Sequence, residues 1–136
     1  MLLLGSGKEA ALCDDIVRAA DADGSRRSLN LAGKTSLDQA LALIAGASSV
    51  LSNDSGLMHV AAAMGVSQVA VFGSSSPLHT PPLNDKAQVI WLKTDSAYAP
   101  PLDCAPCFER VCPLPAGPAH LRCLNDITPQ RVLTLL

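Results

Sequence analysis

No apolar run in these 136 residues approaches the roughly 18 to 20 that would carry a helix across a bilayer. A signal peptide is missing too: Met1 to Leu4 is too short for its apolar region, has no basic lead-in, and runs straight into a turn at Gly5-Ser6-Gly7. A cytoplasmic protein is therefore expected. Charge is sparse, at 16% of residues with a net of -2, and the Lys and Arg side chains are scattered. Without a basic stripe to neutralise successive phosphates, no nucleic acid partner is expected. Five cysteines, an odd number in a chain with no export signal, speak for reduced thiols or a metal site ahead of a disulfide framework. The length suits one domain, residues 1–136, with a single core, and is too short for two nucleotide-binding lobes.

What is present is a globular composition, 49% hydrophobic, laid out in repeated strand, loop and helix units. Residues 1–4 read as a strand closed by glycines, and residues 8–22 as a helix with Ala11, Leu12, Ile16, Val17 and Ala20 inward and Asp14, Asp15 and Arg18 outward. Residues 28–31 read as a second strand. Ser36 and Gln39 have capping-box spacing, so a helix starts there with Leu37, Ala40, Leu41, Ile44 and Ala45 inward until Gly46. Strands follow at 49–52 and 68–72, separated by a helix at 57–64. A strand is also expected at 89–92, a Cys- and Pro-rich irregular segment at about 95–126, and a helix at about 128–136, where Thr128 and Pro129 give a cap and a first-turn proline. The fold class this implies is α/β, a Rossmann-like parallel sheet flanked by helices.

Asn53 to His59 carries the chemistry. It lies where a strand end meets a helix start, the place in an open parallel sheet where free backbone amides and about half a positive charge favour phosphate. Gly56 would let a diphosphate approach the backbone, Ser55 could cap the helix while offering its hydroxyl, and His59 follows one turn later. Asp-Ser-Gly is equally an ordinary N-cap turn, and a His one turn into a helix is often only a satisfied polar group.

Three stretches occur together in order: Leu31-Ala-Gly-Lys-Thr-Ser-Leu37, Ala45-Gly-Ala-Ser-Ser-Val-Leu-Ser-Asn-Asp-Ser-Gly-Leu-Met-His-Val-Ala-Ala-Ala63, and Phe72-Gly-Ser-Ser-Ser-Pro77. With them the chain resembles the ADP-heptose:lipopolysaccharide heptosyltransferases, glycosyltransferases of GT-B fold, and matches their C-terminal, donor-binding lobe. The second-heptose type fits better than the first, through Asn53 to His59, the Thr80-Pro-Pro-Leu83 loop and the cysteine-rich tail. The resemblance implies that Asp54, Ser55, Gly56, Leu57 (through its backbone) and His59 contact the diphosphate and heptose of ADP-heptose. Gly5, Ser6, Gly33, Thr35 and Leu37 would frame the adenosine. The acceptor, the lipopolysaccharide core, and the catalytic Asp base belong in that family to the N-terminal lobe. Met1 falls inside what should be the lobe's first strand, so a partial chain is expected, with no catalytic residue of its own and no activity alone.

Cys104, Cys107, Cys112 and Cys123 gather four thiols within twenty residues, a set that suits tetrahedral structural zinc, or plain or disulfide-forming thiols. No cofactor is required for transfer in the family. Cys13 lies on an apolar helix face and reads as core, as do Phe72 and Trp91 in strands. His79 and His120 sit in polar loops, the latter a substitute ligand if one thiol does not bind; Glu109 and Arg110 read as surface charges. Two alternatives remain open: a GT-B lobe for another nucleotide sugar, and an inactive interaction module that self-associates through an exposed lobe interface.

Overall fold

Each apolar run expected as a strand pairs with another in parallel register in the computed structural model, which describes residues 1–136. By its internal packing the chain forms two compact units, Met1–Leu43 and Ile44–Leu136.

In the first unit β1 (Leu2–Leu3) pairs with β2 (Leu29–Asn30), and α1 (Ala10–Ala20) forms the crossover after a 3-10 turn at Gly7–Glu9. The ladder runs on past the strands: the amides of Leu29, Leu31 and Gly33 donate to the carbonyls of Met1, Leu3 and Gly5, each at 2.9 Å. Asn30 is buried and fully partnered. Its amide nitrogen donates to the Ala10 carbonyl at 2.9 Å and to Asp14 at 2.7 Å, and its oxygen accepts from the Ala32 amide at 2.9 Å, which fastens strand to helix. The inward face expected for α1 is largely open: Leu12 is 61% and Ile16 40% exposed, Ala11 and Ala20 are exposed, and Cys13 is the buried residue. Two strands of two residues each can cover only a narrow stripe of a helix.

α2 (Leu37–Ala45) begins in the first unit and ends in the second. Its capping box forms as expected: the Ser36 amide donates to Gln39 Oε1 at 2.9 Å, and the Gln39 amide to Ser36 Oγ at 3.2 Å. Ala40 and Ile44, four apart, are buried, whereas Leu37, at 67% exposure, and Ala45 are not.

In the second unit β3 (Val50–Asn53), β4 (Gln68–Phe72) and β5 (Ala87–Trp91) lie in that order, Val50 opposite Gln68 and Phe72 opposite Trp91. β4 is central, and a parallel strand covered on both faces reads as a continuous apolar run; all but Val71 of its residues are buried. α3 (Gly56–Ala63) makes the crossover from β3 to β4 and buries Met58, Ala61 and Ala62. Met58 joins Ala70, Phe72 and Trp91 in one cluster, where Phe72 and Trp91 are core residues as expected. Burial of a side chain such as Met58 or Phe72 contributes roughly 1.5–3 kcal/mol.

β5 starts two residues before the expected strand, and Leu92 opens a 3-10 turn instead of ending it. The Cys- and Pro-rich stretch is irregular apart from one turn of helix, α4 (Arg122–Asn125). It has its own small core: Leu92, Leu102 and Ala105 are buried, with Tyr98, Cys123 and Ile127 against them. Arg122 donates to Tyr98 Oη at 2.7 Å and to the Pro100 carbonyl at 2.9 Å, and Tyr98 donates to Asp126 at 2.5 Å. α5 (Pro129–Leu133) starts where the cap and proline place it, Thr128 Oγ1 accepting from the Arg131 amide at 3.3 Å, and ends three residues before Leu136. Arg131 in turn pairs with Asp95. No helix is long and apolar enough to cross a membrane.

Candidate functional site

The start of α3 is an open helix N-terminus. β3 ends at Asn53, Asp54 turns the chain, and Ser55 takes the extended N-cap conformation (φ -156°, ψ 167°) with no capping hydrogen bond from its side chain. The first amide to find an acceptor in the turn is that of Met58, which donates to the Ser55 carbonyl at 3.1 Å; those of Ser55, Gly56 and Leu57 have none within the chain. Such orphan amides, with the helix dipole behind them, attract anions. A Cβ placed on Gly56 would meet no atom within 4 Å, so the space beside this residue is clear of the protein's own groups. His59 is exposed and lies four residues after Ser55, on the same side of the helix. All five residues expected at this junction are thus brought together.

A sixth residue joins them that the sequence marks only as part of the Thr80-Pro-Pro-Leu83 loop and not as a site residue. Thr80 Oγ1 donates to the Asp54 carboxylate, 3.3 Å from Oδ2 and 3.4 Å from Oδ1. Its loop is anchored by Ser76, which is buried: the Ser76 carbonyl accepts from the His79 amide at 3.1 Å and the Thr80 amide at 3.3 Å, and Ser76 Oγ accepts from the Leu78 amide at 3.2 Å. At the root of the loop Gly73 is pressed against α4, where a Cβ would lie 2.8 Å from Leu124 Cδ2. The signal available in sequence was Ser-Ser-Ser-Pro followed by Thr-Pro-Pro, a stiff loop directly after a central strand.

In the first unit, Gly5, Ser6 and Gly33 form a tight crossing of two loops. Gly33 is in the left-handed region (φ +72°), and a Cβ there would stand 2.7 Å from Gly7 Cα, so only glycine fits. Ser6 is engaged locally: its amide (2.7 Å) and hydroxyl (2.9 Å) both donate to Glu9 Oε2, and these hydrogen bonds hold the Glu9 carboxyl below its ordinary range. Thr35 is half-buried and Leu37 projects from the start of α2.

Cys104, Cys107, Cys112 and Cys123 are free thiols lining one hollow of about 110 Å³ in the second unit. No three His, Cys, Asp or Glu side chains, these included, are gathered about one point in a way that would hold a metal. Burial pushes the Cys123 thiol up, and the neighbouring Cys104, Cys107 and Cys112 act in the same direction. His120 Nδ1 is engaged with the Leu114 carbonyl at 2.8 Å, and Glu109 and Arg110 are exposed as expected.

Known proteins resemble the chain in sequence and in fold. Residues 1–116 match the family described as glycosyltransferase family 9 (heptosyltransferase). The chain is 42% identical over 133 residues to lipopolysaccharide heptosyltransferase 2 of Escherichia coli K12, covering 98% of this chain and 35% of that one. Against lipooligosaccharide heptosyltransferase 2 of Haemophilus influenzae the identity is 46% over 90 residues, 66% of this chain and 26% of the relative. The solved structure of the E. coli ADP-heptose LPS heptosyltransferase II is similar with a TM-score of 0.74 at 40% identity, covering 98% of this chain and 34% of that chain. A family 9 glycosyl transferase from Veillonella parvula follows with a TM-score of 0.57 at 26% identity, over 65% of this chain and 25% of that one. The chain therefore spans about a third of the length of the E. coli relative. Its parallel α/β architecture and its sequence together make it a member of glycosyltransferase family 9, the heptosyltransferases.

Proposed function

We propose that this chain is the donor-binding part of a heptosyltransferase that moves heptose from ADP-heptose to the lipopolysaccharide inner core at the cytoplasmic face of the inner membrane. The observation that carries the reading is the open start of α3, with three amides lacking acceptors and clear space before Gly56. There the amides of Ser55, Gly56 and Leu57 receive the diphosphate, and Ser55 Oγ and His59 lie on the side where the sugar follows. Asp54, steadied by Thr80, accepts from sugar hydroxyls and so reads the heptose rather than the phosphates.

As the glycosidic bond to the phosphate breaks, negative charge builds on the leaving diphosphate. Amides fixed in place before the reaction stabilise that charge without reorganising. The base that takes the proton of the acceptor hydroxyl is not among these residues, and heptose transfer by residues 1–136 alone is expected to be undetectable.

Calorimetric titration with ADP-heptose, ADP and a second ADP-sugar tests the reading. Saturable binding of ADP-heptose in preference to the other ADP-sugar is expected. Absence of any nucleotide binding by a folded chain would remove the proposal, and equal affinity for both sugars would replace heptose with another donor.

A further inference from the structure

The four thiols of the second unit are not used by the proposed transfer, and the way the chain presents them is specific. We propose that Cys104, Cys107, Cys112 and Cys123 form a structural zinc site that fastens the irregular segment to the end of β4. Their hollow is also lined by Gly73 and Ser74, the first residues after β4, so the segment folds back onto the C-terminal end of the central strand at this point. All four cysteines are free, Cys104 exposed and the other three half-buried, so none is committed to a partner sulfur or lost in the core.

Backbone conformation gathers the set. Phe108, directly after Cys107, and Leu121, two before Cys123, both take left-handed conformations (φ +57° and +55°), which bulky residues avoid unless the chain must reverse there. The Phe108 amide donates to the Ser74 carbonyl at 2.8 Å, and the Leu121 amide points to Cys112 Sγ at 3.5 Å. An amide donated to sulfur is the kind of outer partner that orients a thiolate ligand. The sulfurs line one hollow without sharing a common point in this structure, so zinc binding has to draw them together. Four soft ligands and no open position suit tetrahedral zinc: each thiol releases its proton to solvent as a Zn–S bond forms. An irregular segment whose core is one small cluster, Leu92, Leu102 and Ala105, gains from such a clip.

The test is elemental analysis of the whole chain, purified under reducing conditions without added metal, alongside a Cys104→Ser/Cys123→Ser variant. One zinc per chain is expected, lost in the variant. Because the variant can fail to fold, chelator-stripped wild-type chain is also titrated with Co2+. The intense visible ligand-field bands of tetrahedral thiolate-bound cobalt are expected, saturating at one equivalent and displaced by zinc. No zinc and no such bands would overturn the proposal. So would a brown iron-sulfur chromophore, or a mass under non-reducing conditions that shows the cysteines paired as disulfides.

Discussion

Thr80 Oγ1 stands 3.3 Å from the carboxylate of Asp54, a residue 26 positions earlier in the chain, and so joins the proline-rich loop after β4 to the turn that opens α3. A carboxylate beside a phosphate site would repel the ligand if it swung toward it, and the hydroxyl keeps it in one orientation.

Thr80→Val removes that restraint and leaves the loop anchored through Ser76. A hydrogen bond to a charged group in a partly exposed place contributes about 1 kcal/mol, so ADP-heptose affinity should fall roughly 5-fold, by titration calorimetry. Binding of ADP alone should change less, because Asp54 is assigned to the sugar.

Gly56→Val separates ligand from fold. A Cβ added there meets none of the protein's own atoms within 4 Å. Thermal stability should stay within about 0.5 kcal/mol of wild type, as for surface substitutions. Donor binding should drop by an order of magnitude or more as the anion space fills. A stable variant that binds normally would show that the diphosphate sits elsewhere.

Gly33→Ala should be severe where Gly24→Ala is mild. Both glycines are left-handed, at φ +72° and +79°, but a methyl at Gly33 lies 2.7 Å from Gly7 Cα and one at Gly24 touches nothing. Conformation alone predicts about 1–2 kcal/mol for Gly24→Ala, and the backbone clash adds to that for Gly33→Ala. Urea denaturation of both variants measures the difference.

Acid should release α5 before it unfolds the sheet. Asp95 accepts from the Ala97 amide and from Arg131, and these bonds hold its carboxyl below its ordinary value of 3.8. A depressed carboxyl contributes stability that is fully present above the unfolded value and is lost as pH falls through the folded one. The loss therefore lies below pH 3.8, and Asp95→Asn should flatten it. Hydrogen exchange at residues 129–133 as a function of pH reads the effect.

Much of this fold is legible locally. Ser36 and Gln39 announce α2, Thr128 and Pro129 announce α5, and Asn53 to Gly56 marks a strand end against a helix start, because caps and turns are decided by neighbours in sequence. The face of α1 is not legible, for the opposite reason. Leu12 and Ile16 have helical spacing, but how much of a helix is covered depends on the breadth of the sheet beside it, and the β1-β2 sheet is narrow. Thr80 escaped for a similar reason: its loop has no periodicity, and its partner lies across the turn that opens α3. α4 is a single turn after a left-handed Leu121, too short to leave a pattern.

The single hydrogen bond from the Phe108 amide to the Ser74 carbonyl, 2.8 Å long, makes the cysteine segment a backstop for the loop that ends at Thr80. Oxidants or alkylating agents that strike those sulfurs would then be felt at the proposed nucleotide-sugar site, which they never touch, as slackened grip on the donor, though no group assigned to the ligand has changed.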